Sequence, residues 1–184
     1  MKSLLNVALI GLALVMGSAS AADYNYVQAG YSASDFTNRS ADSWSVAASK
    51  ELGSKLFILG DYTKGIDSDL EQGTVGVGVG LHTPISTNAD IYGQVEATTV
   101  VVNRNDRTKY DYIAESGIRW QVSPSWELRG GVLASNIRSQ SLDEVNWRAF
   151  GGAEYALTKF VKVGAMAIGK SGDLEGKATV RLYF

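Results

Sequence analysis

The sequence predicts an all-β chain: a single transmembrane, antiparallel up-and-down β-barrel of about ten strands, with eight as the alternative. Three observations predict it. Apolar residues recur with a period of two along most of the chain, and no segment carries a convincing helical period. Residues 177–184 set Ala178, Val180, Leu182 and Phe184 on one face against Lys177, Thr179, Arg181 and Tyr183 on the other. That alternation ends on an aromatic, as expected of a strand that closes on its partner and leaves no edge. Residues 1–22 read as an export signal: Lys2, an apolar run from Leu4 to Met16, then Ala19-Ser20-Ala21 as a small-residue cleavage site. The apolar run is shorter than the roughly 20 residues a spanning helix needs. Cleavage falls after Ala21 or Ala22, and residues 23–184 form one barrel domain.

Composition agrees. The signal carries only Lys2 among charged residues, so the 17 basic residues become 16 against 19 acidic ones, and the mature chain is mildly acidic. That balance argues against a nucleic-acid partner. Cysteine is absent, which removes disulfides and thiolate metal sites. No cofactor pattern stands out. Twenty Gly, two Pro, nine Tyr and four Trp suit closely packed strands with aromatic anchors.

The strands follow in order. The run at 24–32 sets Val27, Ala29 and Tyr31 on one face, and a polar stretch at 33–43 reads as a loop. The run at 44–51 sets Trp44, Val46 and Ala48 against Ser45, Ala47, Ser49 and Glu51, and Gly53-Ser54-Lys55 is a turn. At 56–63 Phe57 and Leu59 blur the alternation. At 75–81 Val75, Val77, Val79 and Leu81 interleave with Gly76, Gly78 and Gly80. Three glycines would cost a helix about 1 kcal/mol each relative to Ala, so a strand with a bare inner wall explains them better. Residues 83–88, with Pro84, read as a turn. The remaining runs fall at 91–102, 110–122, 126–137, 145–157, 160–169 and 177–184. Tight turns and longer polar loops alternate between them, the pattern of periplasmic turns and outside loops.

One face of these strands is apolar, with Lys50 and Lys64 only at strand ends. The other carries Glu51, Asp61, Glu96, Asp111, Glu115, Glu127 and Glu154 with Arg119, Arg129, Arg148, Lys162, Lys177 and Arg181. A soluble barrel would turn the ionic face outward; a membrane barrel turns it inward. The export signal, Phe184 and the aromatics Trp44, Tyr62, Trp120, Trp126, Trp147 and Tyr155 near run ends favour the membrane. A near-balanced ionic lumen predicts a paired network of Glu51, Glu96, Glu115, Arg119, Glu127, Arg129, Arg148, Glu154 and Arg181, since buried charges are tolerable only in pairs. Inward Gly76, Gly78 and Gly80 would leave room for long Arg and Glu side chains.

At this point the chain resembles the small OmpA-like and OmpX-like outer-membrane barrels. Its opening, Asp23-Tyr24-Asn25-Tyr26-Val27-Gln28-Ala29-Gly30-Tyr31, and its closing strand are similar to small barrels regulated by diffusible signal factor. The resemblance implies a barrel in the outer membrane of a Gram-negative bacterium, linked with envelope integrity, biofilm or virulence, and implies no reaction. The first expectation is therefore a non-enzymatic barrel with a salt-bridged, largely plugged lumen, acting in envelope structure or surface interaction. The alternative is a narrow channel for small solutes or ions. A hydrolase comes last, because the one histidine, His82, shares the Gly76-Gly78-Gly80 face at the periplasmic end, where a hydrogen-bonded lumen role is expected. Expected partners are outer-membrane lipid, lipopolysaccharide through Arg104, Arg107 and Lys109, and periplasmic chaperones and barrel-assembly machinery that read Val180, Leu182 and Phe184.

Deleting Phe184 should lower outer-membrane levels and raise periplasmic degradation, read by fractionation and immunoblot. Normal insertion of the truncated chain would remove the support that the closing strand lends to this reading.

Overall fold

The computed structural model describes residues 23–36, 39–66, 73–101, 110–136, 145–170 and 173–184. The predicted signal at 1–22 lies outside them, as do Arg104, Arg107 and Lys109. Ten strands form one antiparallel sheet: β1 (Tyr26–Phe36), β2 (Arg39–Leu52), β3 (Leu56–Gly65), β4 (Gly73–Ser86), β5 (Ala89–Val101), β6 (Tyr110–Gln121), β7 (Trp126–Ser135), β8 (Asn146–Ala156), β9 (Val161–Lys170) and β10 (Asp173–Tyr183). Sequential strands are neighbours throughout, and β1 also pairs with β10, so the sheet closes into a barrel. The closing register runs from Tyr26 opposite Tyr183 to Asp35 opposite Leu174. Ten strands, not eight, therefore span the membrane, one hairpin more than the OmpA and OmpX type.

Three boundaries differ from the sequence reading. The stretch at 33–43 is not a loop: β1 continues to Phe36 and β2 begins at Arg39, with Ser34 opposite Ala41. Its Ser and Asp residues give no apolar alternation, so the sequence carries no period of two to mark the backbone pairing there. Arg39 thus sits on a strand. The turn expected at 83–88 shrinks to Thr87–Asn88, because β4 runs on through Pro84 to Ser86. Pro84 has no N–H to give the ladder, and the register shifts between Pro84 and Ser86, the irregularity a strand proline demands. The gap expected between the runs at 160–169 and 177–184 narrows likewise, with β9 reaching Lys170 and β10 starting at Asp173.

The two faces of the sheet are inverted relative to a soluble protein. Val75, Val77, Val79 and Leu81 of β4 all point outward, Val77 with 65% of its surface exposed. Leu128, Val132, Val180 and Leu182 do the same elsewhere on the wall. Aromatics mark both rims. Trp120, Trp126, Tyr155 and Phe160 are exposed near the tight turns; Tyr31, Trp44, Tyr110, Tyr112 and Trp147 are exposed near the opposite ends of the strands. Trp44 tilts against Tyr62 at 5.3 Å, and Trp126 against Tyr155 at 5.0 Å. An apolar belt between two aromatic girdles is the wall of a transmembrane barrel. Arg119, Glu127, Glu154 and Arg181 are buried on the inner side.

Val77→Arg should cost about 2–4 kcal/mol if that position lies near the bilayer midplane, whereas Val77→Leu should be nearly neutral. Urea unfolding of the protein folded into lipid vesicles measures both. Equal stability of the arginine variant and wild type would mean that β4 does not face lipid.

Candidate functional site: a filled lumen

Side chains alternate in and out along each strand, and cross-strand neighbours share a face. The pairing therefore decides which charges meet. It sets like against like: Arg119 opposite Arg129, Glu127 opposite Glu154, and Lys162 opposite Arg181. Like charges directly opposite destabilise a sheet. Opposite charges meet instead on the diagonals. Arg119 Nε donates to Glu127 Oε1 at 2.6 Å and Nη2 to Glu127 Oε2 at 3.1 Å, a bidentate pair. Arg181 Nη1 lies 2.9 Å from Glu154 Oε1, and Arg129 Nη1 lies 3.6 Å from the same oxygen. Lys162 reaches across to Glu127 Oε2 at 2.7 Å. The result is a checkerboard in which each carboxylate of the Glu127–Glu154 pair touches two cations.

Neutral groups complete the network. Gln28 Oε1 accepts from Arg181 Nη2 at 2.6 Å and from Nε at 3.0 Å. The Tyr183 hydroxyl accepts from Arg181 Nη1 at 3.1 Å and from Arg119 Nη2 at 3.4 Å. Arg181 also stacks over Tyr26, 4.2 Å from the ring centroid. Farther along, Tyr92 donates to Glu115 Oε1 at 2.6 Å, and Arg129 Nη2 lies 3.4 Å from that oxygen. Arg148 pairs with Glu175 at 3.4 Å in a wetter position.

Of the nine residues expected in the ionic network, the structure brings together Glu115, Arg119, Glu127, Arg129, Glu154 and Arg181. Arg148 belongs to the separate pair with Glu175. Glu51 is inward but bonds His82, whose Nε2 lies 3.2 Å from Glu51 Oε1. Glu96 meets no arginine among the described residues; its carboxylate packs with that of Asp61 in the space left by Gly76. Val180 and Leu182 face outward, and Phe184 lies half-buried with the Lys50 ammonium 5.8 Å from its ring centroid.

The lumen is not purely ionic, which corrects the sequence reading. Tyr24, Phe57, Tyr92, Leu133 and Phe150 form a buried apolar cluster inside the barrel, with Leu59, Ile113, Met166 and Ile168 against it. The inward glycines serve this cluster more than the arginines. A Cβ at Gly80 would collide with the Phe57 ring, and one at Gly131 would meet both the Ser116 carbonyl and Phe150. Phe57 blurred the alternation of β3 because it points into the lumen, where an apolar residue was not expected.

Tyr24 is the residue that sequence reasoning missed. It precedes β1, yet only 3% of its surface is exposed. Asp23-Tyr24-Asn25 turns into the mouth on the tight-turn side, and Tyr24 stacks on Phe57 at 4.6 Å and on His82 at 4.1 Å. The Arg119 guanidinium lies 4.7 Å from its ring centroid, and Arg119 Nη1 donates to the Asp23 carbonyl at 3.1 Å. The inward parity of Tyr24, Tyr26 and Gln28 was the available signal.

Solved structures of two porins share this architecture. The chain matches a KdgM porin in complex with disordered oligogalacturonate over 86% of its own length and 99% of the porin's, with 8% identity and a TM-score of 0.57. It matches a NanC porin over 86% of its length and 100% of the porin's, with 5% identity and a TM-score of 0.55. The fold is that of a small outer-membrane barrel. Identities this low carry the architecture and nothing finer. No protein-family model matches the sequence, and no curated protein matches it significantly.

Glu127→Ala removes the carboxylate that both Arg119 and Lys162 contact, leaving two buried cations short of a partner. It should cost about 3–5 kcal/mol in vesicle unfolding. Glu175→Ala breaks a more hydrated pair and should cost less than about 1 kcal/mol. Similar losses in the two variants would show that Glu127 is not held in a dry network.

Proposed function

We propose that this chain is a closed, non-enzymatic barrel of the Gram-negative outer membrane, acting in envelope structure or surface interaction and not as an open pore. One observation carries the reading: the inside of the barrel is filled. Arg119, Glu127, Glu154 and Arg181 are each between 2% and 4% exposed, and Tyr24 and Phe57 occupy the mouth beside them. Charges this dry must be paired, and paired charges joined across strands hold register and shape.

The location follows from the predicted export signal together with the apolar belt, and the closing strand is proposed as the signal for the assembly machinery and its chaperones. Lipopolysaccharide is the proposed outer-leaflet partner, with Arg104, Arg107 and Lys109 in the connection between β5 and β6 as its phosphate contacts. The resemblance to barrels regulated by diffusible signal factor supports a link with biofilm or virulence.

The second reading, a narrow channel for small solutes, is favoured by the likeness to two porins. Planar-bilayer recording separates the two. Wild-type protein should show no steady conductance, or only rare small events. Replacing Arg119 and Arg129 by Ala should admit water and raise conductance. A large, steady conductance from the wild type would replace the closed-barrel reading with the channel.

A further inference from the structure

The mouth at the tight-turn end holds a buried carboxylate that the ionic network does not reach. Asp90, near the start of β5, is 7% exposed and faces into the barrel opposite Arg119 of β6. Arg119 nonetheless turns away from it: Nε and Nη2 go to Glu127, and Nη1 goes to the Asp23 carbonyl. Among the described residues no Lys or Arg pairs with Asp90. Its ionic contact is His82 on β4, whose Nδ1 lies 3.5 Å from Asp90 Oδ2. Buried charges are ordinarily paired or bound to a metal. His82 is itself 8% exposed, and its Nδ1 is buried without a hydrogen-bond partner. The other ring nitrogen, Nε2, lies 3.2 Å from Glu51 Oε1 on β2, within hydrogen-bond reach. An imidazole that donates through Nε2 turns the Nδ1 lone pair toward Asp90. Two acceptors then face each other, an arrangement that a cation between them stabilises. Both residues line a cavity of about 410 Å³ that extends to the exposed turn residues Ser54 and Thr87.

We propose that His82 Nδ1 and the Asp90 carboxylate form an open, two-ligand site for a divalent transition-metal cation of the zinc type. Two ligand atoms each about 2.1 Å from a tetrahedral zinc ion stand about 3.4 Å apart. Nδ1 and Oδ2 stand at 3.5 Å. Glu51 supplies the outer partner: a carboxylate that accepts from the far ring nitrogen fixes the tautomer and the ring orientation of a ligating histidine. An imidazole nitrogen selects transition metals over magnesium and calcium, which take shells of oxygen. Glu51, Asp90 and Glu127 outnumber Arg119 on the cavity wall, so the local field favours a cation. Among the described residues no three His, Asp or Glu side chains gather into a metal cage. The rest of the coordination shell therefore belongs to water in the cavity, as at open zinc sites. The ion clips β4 to β5 beside the register shift at Pro84.

The chain has one histidine, so its imidazole nitrogen resonances are unambiguous. The test is nitrogen NMR of the isotopically labelled, full-length mature protein, made without a histidine tag and folded in detergent micelles, during titration with zinc ion. Zinc should shift the Nδ1 resonance and leave the proton on Nε2. Calorimetric titration of the same protein should give one ion per chain, bound at least about tenfold more weakly by Asp90→Asn and by His82→Gln. Glu51→Ala should weaken binding about tenfold, and Glu51→Gln, whose amide oxygen still accepts from Nε2, should lose less. Asp42→Asn, which removes a carboxylate at the opposite end of β2, should bind as wild type does. Asp90→Asn keeps the shape of the side chain and carries the test should His82→Gln not fold, and the resonance measurement needs no variant. No change of the His82 signals on adding zinc, a shift at Nε2 with Nδ1 unaffected, or an affinity undiminished in Asp90→Asn would overturn the site. So would a ring that carries protons on both nitrogens at neutral pH and keeps them when zinc is added. Zinc binding reads the mouth and not conduction, so failure of the closed-barrel reading and failure of this one are distinguishable.

Discussion

Everything in this molecule depends on the hydrogen-bonded seam between β1 and β10. Inside a bilayer no water is available to satisfy a free backbone edge, so an open sheet of these ten strands could not span it. The seam from Tyr26 opposite Tyr183 to Asp35 opposite Leu174 removes both edges at once. It also creates the interior: only a closed sheet has an inside in which Arg181 of β10 can meet Gln28 of β1 at 2.6 Å. The residues at the seam thus do double service. Val180 and Leu182 present apolar surface to lipid, while Arg181 and Tyr183, alternating with them, join the buried network.

Closure sets the problem that the lumen then solves. A ten-strand barrel has a wider interior than one of eight strands and a narrower one than a porin of 16 or more. Its inner side carries two materials. Near the tight turns, long charged side chains form a checkerboard in which the like-charged rows dictated by register are reconciled by diagonal contacts. Next to it, Phe57, Tyr92 and Phe150 fill space opened by Gly80, Gly117 and Gly131. Each material depends on the other. The aromatic rings exclude water and so strengthen the ion pairs, and the ion pairs hold the strands at the spacing into which the rings fit. Breaking a pair leaves a buried charge, so such a network is fragile to single substitutions although its net contribution to stability is modest.

The sequence was most legible wherever one side of a strand meets lipid and the other does not. Val75, Val77, Val79 and Leu81 interleaved with glycines located β4, and parity alone put the charged set from Glu115 to Arg181 on one face. It was least legible at the far end of the first hairpin, where β1 and β2 continue through serines with no apolar alternation to announce them, and at Pro84, where a strand continues past a residue that usually ends one. The location of an inward charge was therefore predictable, but its partner was not. Parity could not tell that Glu51 would reach His82, or that Glu96 would lie with Asp61 and not with an arginine.

By itself, then, the sequence determined which residues share each face and which charges lie together on one of them, because both follow from a period of two acting along a single strand; the strand count stood at about ten with eight as the alternative, and the inversion of the faces rested on the export signal, Phe184 and the aromatics near the strand ends. Only the tertiary structure decided which charges pair, which glycines admit which rings, and that Tyr24 folds back beneath His82 and Arg119. Those outcomes depend on register and on closure. Both bring together residues as distant as Asp23 and Arg119 through the stagger of neighbouring strands around a ring, and no periodicity within one strand encodes that stagger.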